Sequence, residues 1–272
     1  MPDANDRYRF PETSHVGGHG HEGRLGRHVN HDPRSRAFAH VASGRTLVTV
    51  RHERKIPVLD QGDIGSCTGN AAVGALGTVP DWDGLHPTVQ VELNEKYAVS
   101  VYSAATKLDD YPGTYPPEDT GSDGLSVAKV LLNWGLISEY RHAFSLADAL
   151  DALQDGPVIT GVSWHTGMDN PSPSGLVSIE GAIRGGHEFV ADYYDAATKQ
   201  VGFTNSWGTG YGVQGRFFMS AVDWGRLLAD DGDATILIPA KVPTPVPTPT
   251  PVPPQPESWW TKFLRWLSSL FR

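Results

Sequence analysis

The sequence has a single cysteine, Cys67, among 272 residues, which excludes an intramolecular disulfide and any fold stapled by one. It has no excess of positive charge: 22 Lys and Arg stand against 31 Asp and Glu, a formal net charge of −9. Binding to a phosphate backbone asks for a basic face, so nucleic acid is not an expected partner. The sequence also lacks a run of about 20 apolar residues, the length that a membrane-spanning helix needs. Its first ten residues, MPDANDRYRF, mix charges of both signs without the apolar stretch of a secretory signal. These absences point to a chain folded in a reducing cytoplasm, and its length suits one catalytic domain with appendages.

Four segments follow from composition and patterning. Residues 1–45 are rich in Gly, His, Arg and Asp and hold six histidines, His15, His19, His21, His28, His31 and His40. With little apolar periodicity, the arm is expected to wrap a surface or stay mobile, and the histidine spacing completes no recognisable metal site, so no metal is expected. Residues 46–240 carry the periodic patterns of a folded body. Residues 241–257 are a spacer: positions 243–256 hold eight prolines, which suits an extended polyproline segment reaching on the order of 40 Å at ~3.1 Å per residue. Residues 258–272 form a separate module.

Within the body, Cys67 opens a stretch of small residues, TGNAAVGALG, that reads as a closely packed helix ended by Gly77 and Pro80. Further helices are predicted over 91–105, 125–134 and 146–153. After Pro157 the texture turns β-branched and aromatic: VITGVSW, then HEFVADYYD and VGFTNSW as a hairpin about a turn at 198–200, then strands near 216–219 and 234–238. Ser220 and Asp223 have the capping pattern of a short helix between the last two. Helices first and strands later predict an α+β protein.

The chemistry gathers around Cys67. A thiolate nucleophile is favoured at a helix N-terminus, and it needs an imidazole, a group to orient that imidazole and donors for an oxyanion. Gln61 supplies an amide six positions before the thiol, with Ser66 next to it. Gly185-Gly186-His187 starts an apolar strand, and Asn205 ends the next, so hairpin pairing would set Asn205 beside His187 with the Trp207 indole over their bond. Asp63, Glu188 and Asp192 read as ordinary surface or hairpin residues.

The segments DQGDIGSCTGNAA, GGHEFVADYYD and NSWGTGYGVQGRFF resemble the three active-site segments of papain-family cysteine peptidases, in the order Gln, Cys, His, Asn. That resemblance covers roughly residues 54–239 and implies a two-lobed fold, helical on one side and β-rich on the other, with the cleft between. It also implies Cys67 as nucleophile, His187 as acid and base, Asn205 as orienter and Gln61 as oxyanion donor, supported by Trp207, Ser66 and Gly186, with no cofactor. In that family His and Asn lie about 130 to 150 residues after the thiol. Here the intervals are 120 and 138. Ile64 stands where the family signature has a disulfide cysteine, and Thr68 where it has an aromatic residue. About fifty residues precede the active-site segment, too few for a long helical propeptide, so inhibition by an N-terminal prodomain is not expected.

The expected function is therefore peptide-bond hydrolysis of a peptide or protein substrate. Two readings compete with it: a catalytically silent body that binds or assembles, and a transpeptidase or cell-wall peptide hydrolase on the same fold. On a helical wheel the C-terminal module places Trp259, Trp260, Phe263, Leu264, Trp266, Leu267, Leu270 and Phe271 in one arc, with its polar residues opposite. Its last fifteen residues carry +3, leaving −12 on the rest. Such a helix suits a membrane interface or a protein groove, making the protein peripheral to one or the other.

Overall fold

The computed structural model describes residues 23–240. The polyproline spacer, the aromatic stripe of the C-terminal module and three of the arm histidines, His15, His19 and His21, lie outside the described residues. Among the described residues no helix is long and apolar enough to cross a membrane.

The elements run β1 (Ala39–His40), β2 (Val50–Arg51), α1 (Cys67–Leu76), α2 (Pro87–Gln90), α3 (Glu95–Ala105), α4 (Gly124–Asn133), β3 (Ile137–Ala143), α5 (Leu146–Ala152), β4 (Val158–His165), β5 (Ile183–Asp195), β6 (Gln200–Thr204), β7 (Arg216–Ser220), α6 (Ala221–Ala229) and β8 (Asp233–Pro239). The strands form one sheet in the order β1-β3-β8-β4-β5-β6-β7, with β2 on β5. The pairings are antiparallel except β1 on β3.

Two hydrophobic clusters divide the molecule. One joins α1, α3 and α4 through residues such as Val73, Leu76, Val101 and Leu131. The other lies among the strands and is dominated by rings, including Trp164, Phe189, Phe203, Phe217 and Trp224. Burying apolar surface at about 25 cal/mol per Å² is what holds each, and the cleft runs where they meet. Helix α1 is buried along its whole length, which its small side chains permit: a Cβ on Gly69 would come 2.3 Å from the Ala98 carbonyl oxygen of α3.

Two elements differ from those read in the sequence. Helix α3 starts at Glu95 and not at 91, because the Asn94 side chain accepts from the Tyr97 N–H at 3.1 Å and caps it there. Strand β3 falls in the half read as helical. Its sequence ISEYRHA buries Ile137, Tyr140, His142 and Ala143, without strict alternation, so no period of two shows through its charges. The described part of the arm takes the first of its two expected courses and lies on the body: residues 33–38 form a 3₁₀ turn and residues 39–40 join the sheet as β1.

Candidate active site

Cys67 is the first residue of α1 and is fully buried. It reaches the cleft because the chain before it pairs with the chain after β6: the Gln61 N–H donates to the Ser206 carbonyl and the Gly208 N–H to the Leu59 carbonyl, both at 2.9 Å. Ser66 is buried before the thiol, and its hydroxyl donates to Asn70 Oδ1 at 2.9 Å.

His187 lies on β5, opposite Val162 of β4. Its Nε2 and Asn205 Oδ1 are 2.7 Å apart. Asn205 Oδ1 also accepts from the Ser206 N–H at 2.8 Å, so the oxygen is fixed in place for the ring N–H. Trp207 stacks on the imidazole at 4.6 Å between centroids and Trp164 meets it edge-on at 4.9 Å. The imidazole Nδ1 is buried without a hydrogen-bond partner. The next residue, Glu188, turns its backbone amide to the Cys67 sulfur, so β5 brings the ring and the thiol into one neighbourhood.

The arm histidines that are described go to three different places. His28 stacks on Tyr111 at 4.1 Å, His31 is 3.9 Å from Asp231, and His40 is 3.0 Å from Asp151.

The cleft is occupied by the chain's own residues 23–31. The Arg27 N–H donates to the Gly186 carbonyl at 3.0 Å, the His28 N–H to the Ser122 carbonyl at 2.7 Å, and the Ser122 N–H to the Gly26 carbonyl at 2.9 Å, a short parallel ladder about Arg27 and Ser122. The Gly26 amide, like those of Glu188 and Thr68, acts on the sulfur. Gln61 Nε2 donates to the Arg24 carbonyl at 3.0 Å and to that of Ile64 at 2.8 Å, and Ser206 donates to Gln61 Oε1 at 2.7 Å. The amide read as an oxyanion donor thus already holds a carbonyl from this strap. A segment too short for a helical prodomain fills the cleft as an extended strand.

Covering sets the protonation of the pair. Burial, and then the Glu188 charge, push the Cys67 thiol up to about 12, against the pull of its three backbone amides. Burial pushes His187 down to about 3, with the Arg184 charge adding to it and the Asn205 bond opposing. Under the strap the two are therefore a neutral thiol and a neutral imidazole at pH 7.

Two acids read as surface or hairpin residues lie on the hairpin strand β5 and are fully buried. Asp192 pairs with Arg216, and Thr204 donates to it at 2.6 Å. Glu188 is buried beside Arg27, and neither of its carboxylate oxygens has a hydrogen-bond partner. The sequence signal for both was their place inside the apolar run HEFVADYYD, where a charge has no water to face. Asp63 is exposed as expected.

No family model matches the sequence, and no curated protein matches it. Solved structures do share its architecture: this chain has the fold of the papain-like cysteine proteases. Xylellain, a cysteine protease from Xylella fastidiosa, superposes with a TM-score of 0.65 at 19% identity, over 83% of this chain and 99% of that one. A procathepsin B from Trypanosoma congolense gives 0.58 at 10% identity, over 79% and 86%. Digestive procathepsin L 3 of the Tenebrio molitor larval midgut gives 0.52 at 15%, over 79% and 75%.

Proposed function

We propose that the protein is a cysteine-type endopeptidase with Cys67 as nucleophile. The observation that supports this most is the state of His187: one ring nitrogen is held by Asn205, and the other is buried, unpartnered and on the strand that meets the thiol. A histidine kept only for packing has no need of that asymmetry. In the reaction the Cys67 thiol passes its proton to the free His187 Nδ1 and its sulfur forms a C–S bond with the substrate carbonyl carbon, while Gln61 and the Cys67 N–H hold the oxyanion. The C–N bond then breaks as His187 gives that proton to the leaving amine. Water then attacks the thioester, passing a proton back through His187, and the acid and the free thiol are released.

The test is intact-mass labelling of the full chain with an epoxide thiol reagent, which reports one site because there is one cysteine. Wild type gains one adduct and Cys67→Ala gains none. His187→Ala labels at least ~100-fold more slowly, the low end of what a positioned acid–base group contributes. Labelling that is indifferent to His187 sinks the mechanism.

A second reading, the silent binding module, is favoured by one observation, the strap lying over a protonated thiol. It expects no turnover even when the strap is out. Product analysis with an added amine acceptor separates hydrolysis from transpeptidation. The aromatic stripe of the C-terminal module is proposed to deliver the protein to an anionic membrane. Trp260→Ser with Leu267→Ser in the full chain should lose co-sedimentation with phosphatidylserine vesicles and keep its labelling rate.

A further inference from the structure

The side chain that the strap buries deepest is Arg27, fully enclosed within the cleft. Its Nε donates to Asp233 Oδ2 at 3.1 Å, its Nη2 pairs with the same carboxylate, and Nη2 also donates to the Asp231 carbonyl at 2.7 Å. Glu188 and Asp123 add negative charge to the same enclosure. Burial works against the charge on Arg27, and Asp233 more than restores it. Glu188 is pushed well above the usual carboxylate range by burial and then by the Asp233 charge, with Arg27 opposing. The match is incomplete, since Arg27 Nη1, Asp233 Oδ1 and both Glu188 oxygens lack hydrogen-bond partners.

This enclosure is a pocket of the cleft and not merely an anchor on its rim. Glu188 contributes its amide to the sulfur and its carboxyl to the pocket, so the pocket begins one residue from the thiol. The groups that hold the strap backbone here, the Gly186 carbonyl and both polar groups of Ser122, are open to any extended peptide that takes its place. Gly161 keeps the space clear: a Cβ there would lie 2.6 Å from Arg27 Nε and 2.8 Å from Asp233 Oδ2. Without Arg27 the pocket is left with a partly buried Asp233 and a buried Glu188 that must hold a proton unless another cation takes the place of the guanidinium.

We propose that Glu188 and Asp233 form the side-chain recognition pocket of this cleft, that it takes the guanidinium or ammonium group of a basic residue in the peptide substrate, and that Arg27 is its resident intramolecular competitor. The proposal deepens the peptidase reading and rests on it for the word substrate. The pocket itself is testable without turnover. Geometry also explains why the strap is a competitor: its Gly26 carbonyl accepts from the Ser122 N–H at 2.9 Å and its Arg27 N–H donates to the Gly186 carbonyl beside His187 at 3.0 Å.

The experiment uses full-length Arg27→Ala and follows Cys67 alkylation by iodoacetamide, with native far-UV circular dichroism as the entry condition. Labelling should run at least ~10-fold faster than in wild type, since removing one partner of a buried ion pair is strongly destabilising to the contact. Millimolar acetyl-Leu-Arg-Gly-amide should then slow it several-fold, while the same peptides with Leu or Glu in place of Arg should not. If Arg27→Ala does not fold, Arg27→Lys keeps a cation against Asp233 and decides the matter by the same peptide comparison. A folded variant labelled at the wild-type rate, or protected equally by all three peptides, overturns the proposal. Cleavage of the peptides is read in the same tubes by mass spectrometry. Arginine-selective protection without cleavage overturns the peptidase reading and leaves the pocket, and cleavage without arginine preference does the reverse.

Discussion

Gly26→Val in the full-length protein should raise the alkylation rate of Cys67 at pH 7 by about 100-fold. A Cβ at Gly26 would fall 2.1 Å from the Gly65 carbonyl oxygen and 2.6 Å from its carbon. The obstacle is backbone, and it cannot retreat, because the Gly65 N–H is held by both Asp119 carboxylate oxygens at 3.0 Å. Overpacking costs about 1–3 kcal/mol where side chains can yield, so a rigid obstacle belongs at the upper end. At about 1.4 kcal/mol per factor of ten, that moves the open fraction, and with it the labelling rate, by about 100-fold. The body should stay folded, with native circular dichroism, because Gly26 belongs to neither hydrophobic cluster and the uncovered acids regain water. An unchanged labelling rate in a folded variant would mean that the strap does not limit access to the thiol.

What the sequence made legible, and what it hid, divides along the range of the interactions. The Cys67 helix, the hairpin that carries His187 and Asn205, and the Ser220 cap of α6, whose hydroxyl accepts from the Asp223 N–H at 3.0 Å, are all written in stretches of a dozen residues or fewer. Local patterning governs them. Gln61 was legible for the same reason, through its distance from the thiol. The strap is different. Its fit is made of backbone groups meeting backbone groups far away in sequence, and the Arg27 and Asp233 that anchor it are 206 residues apart. Arginine and glycine in a polar arm carry no period that announces such a contact, so the sequence left open whether the arm wraps a surface or stays mobile. Glu188 was misread because one charge beside a catalytic histidine looks the same in sequence whether it faces water or a buried guanidinium.

The strap also makes a pH profile that separates the covered from the uncovered cleft. With the thiol at about 12 in the covered form, its thiolate fraction rises about tenfold per pH unit from pH 7 upward, so wild-type labelling by uncharged iodoacetamide should gain about 100-fold between pH 7 and 9. Linkage adds to this above pH 9. The covered form keeps a proton there that a free thiol with the ordinary value of 9.0 gives up, so covering weakens as pH rises from about 9 to about 12. The acid side has the opposite origin. Between pH 6.5 and about 3 an uncovered His187 takes up a proton that the covered one refuses, which weakens covering as pH falls. Glu188 opposes it down to pH 4.5, because its raised value lets the covered form keep a proton that the open form releases. Below 4.5 only the His187 contribution remains of the two. In Gly26→Val, water and the two backbone amides that stay with the body, those of Glu188 and Thr68, act on an uncovered thiol beside a protonatable imidazole. Its labelling should level off near pH 9, the ordinary thiol value, and the advantage of about 100-fold over wild type should shrink steadily as the pH passes 9. Parallel profiles for the two proteins would show that burial by the strap is not what holds the thiol protonated.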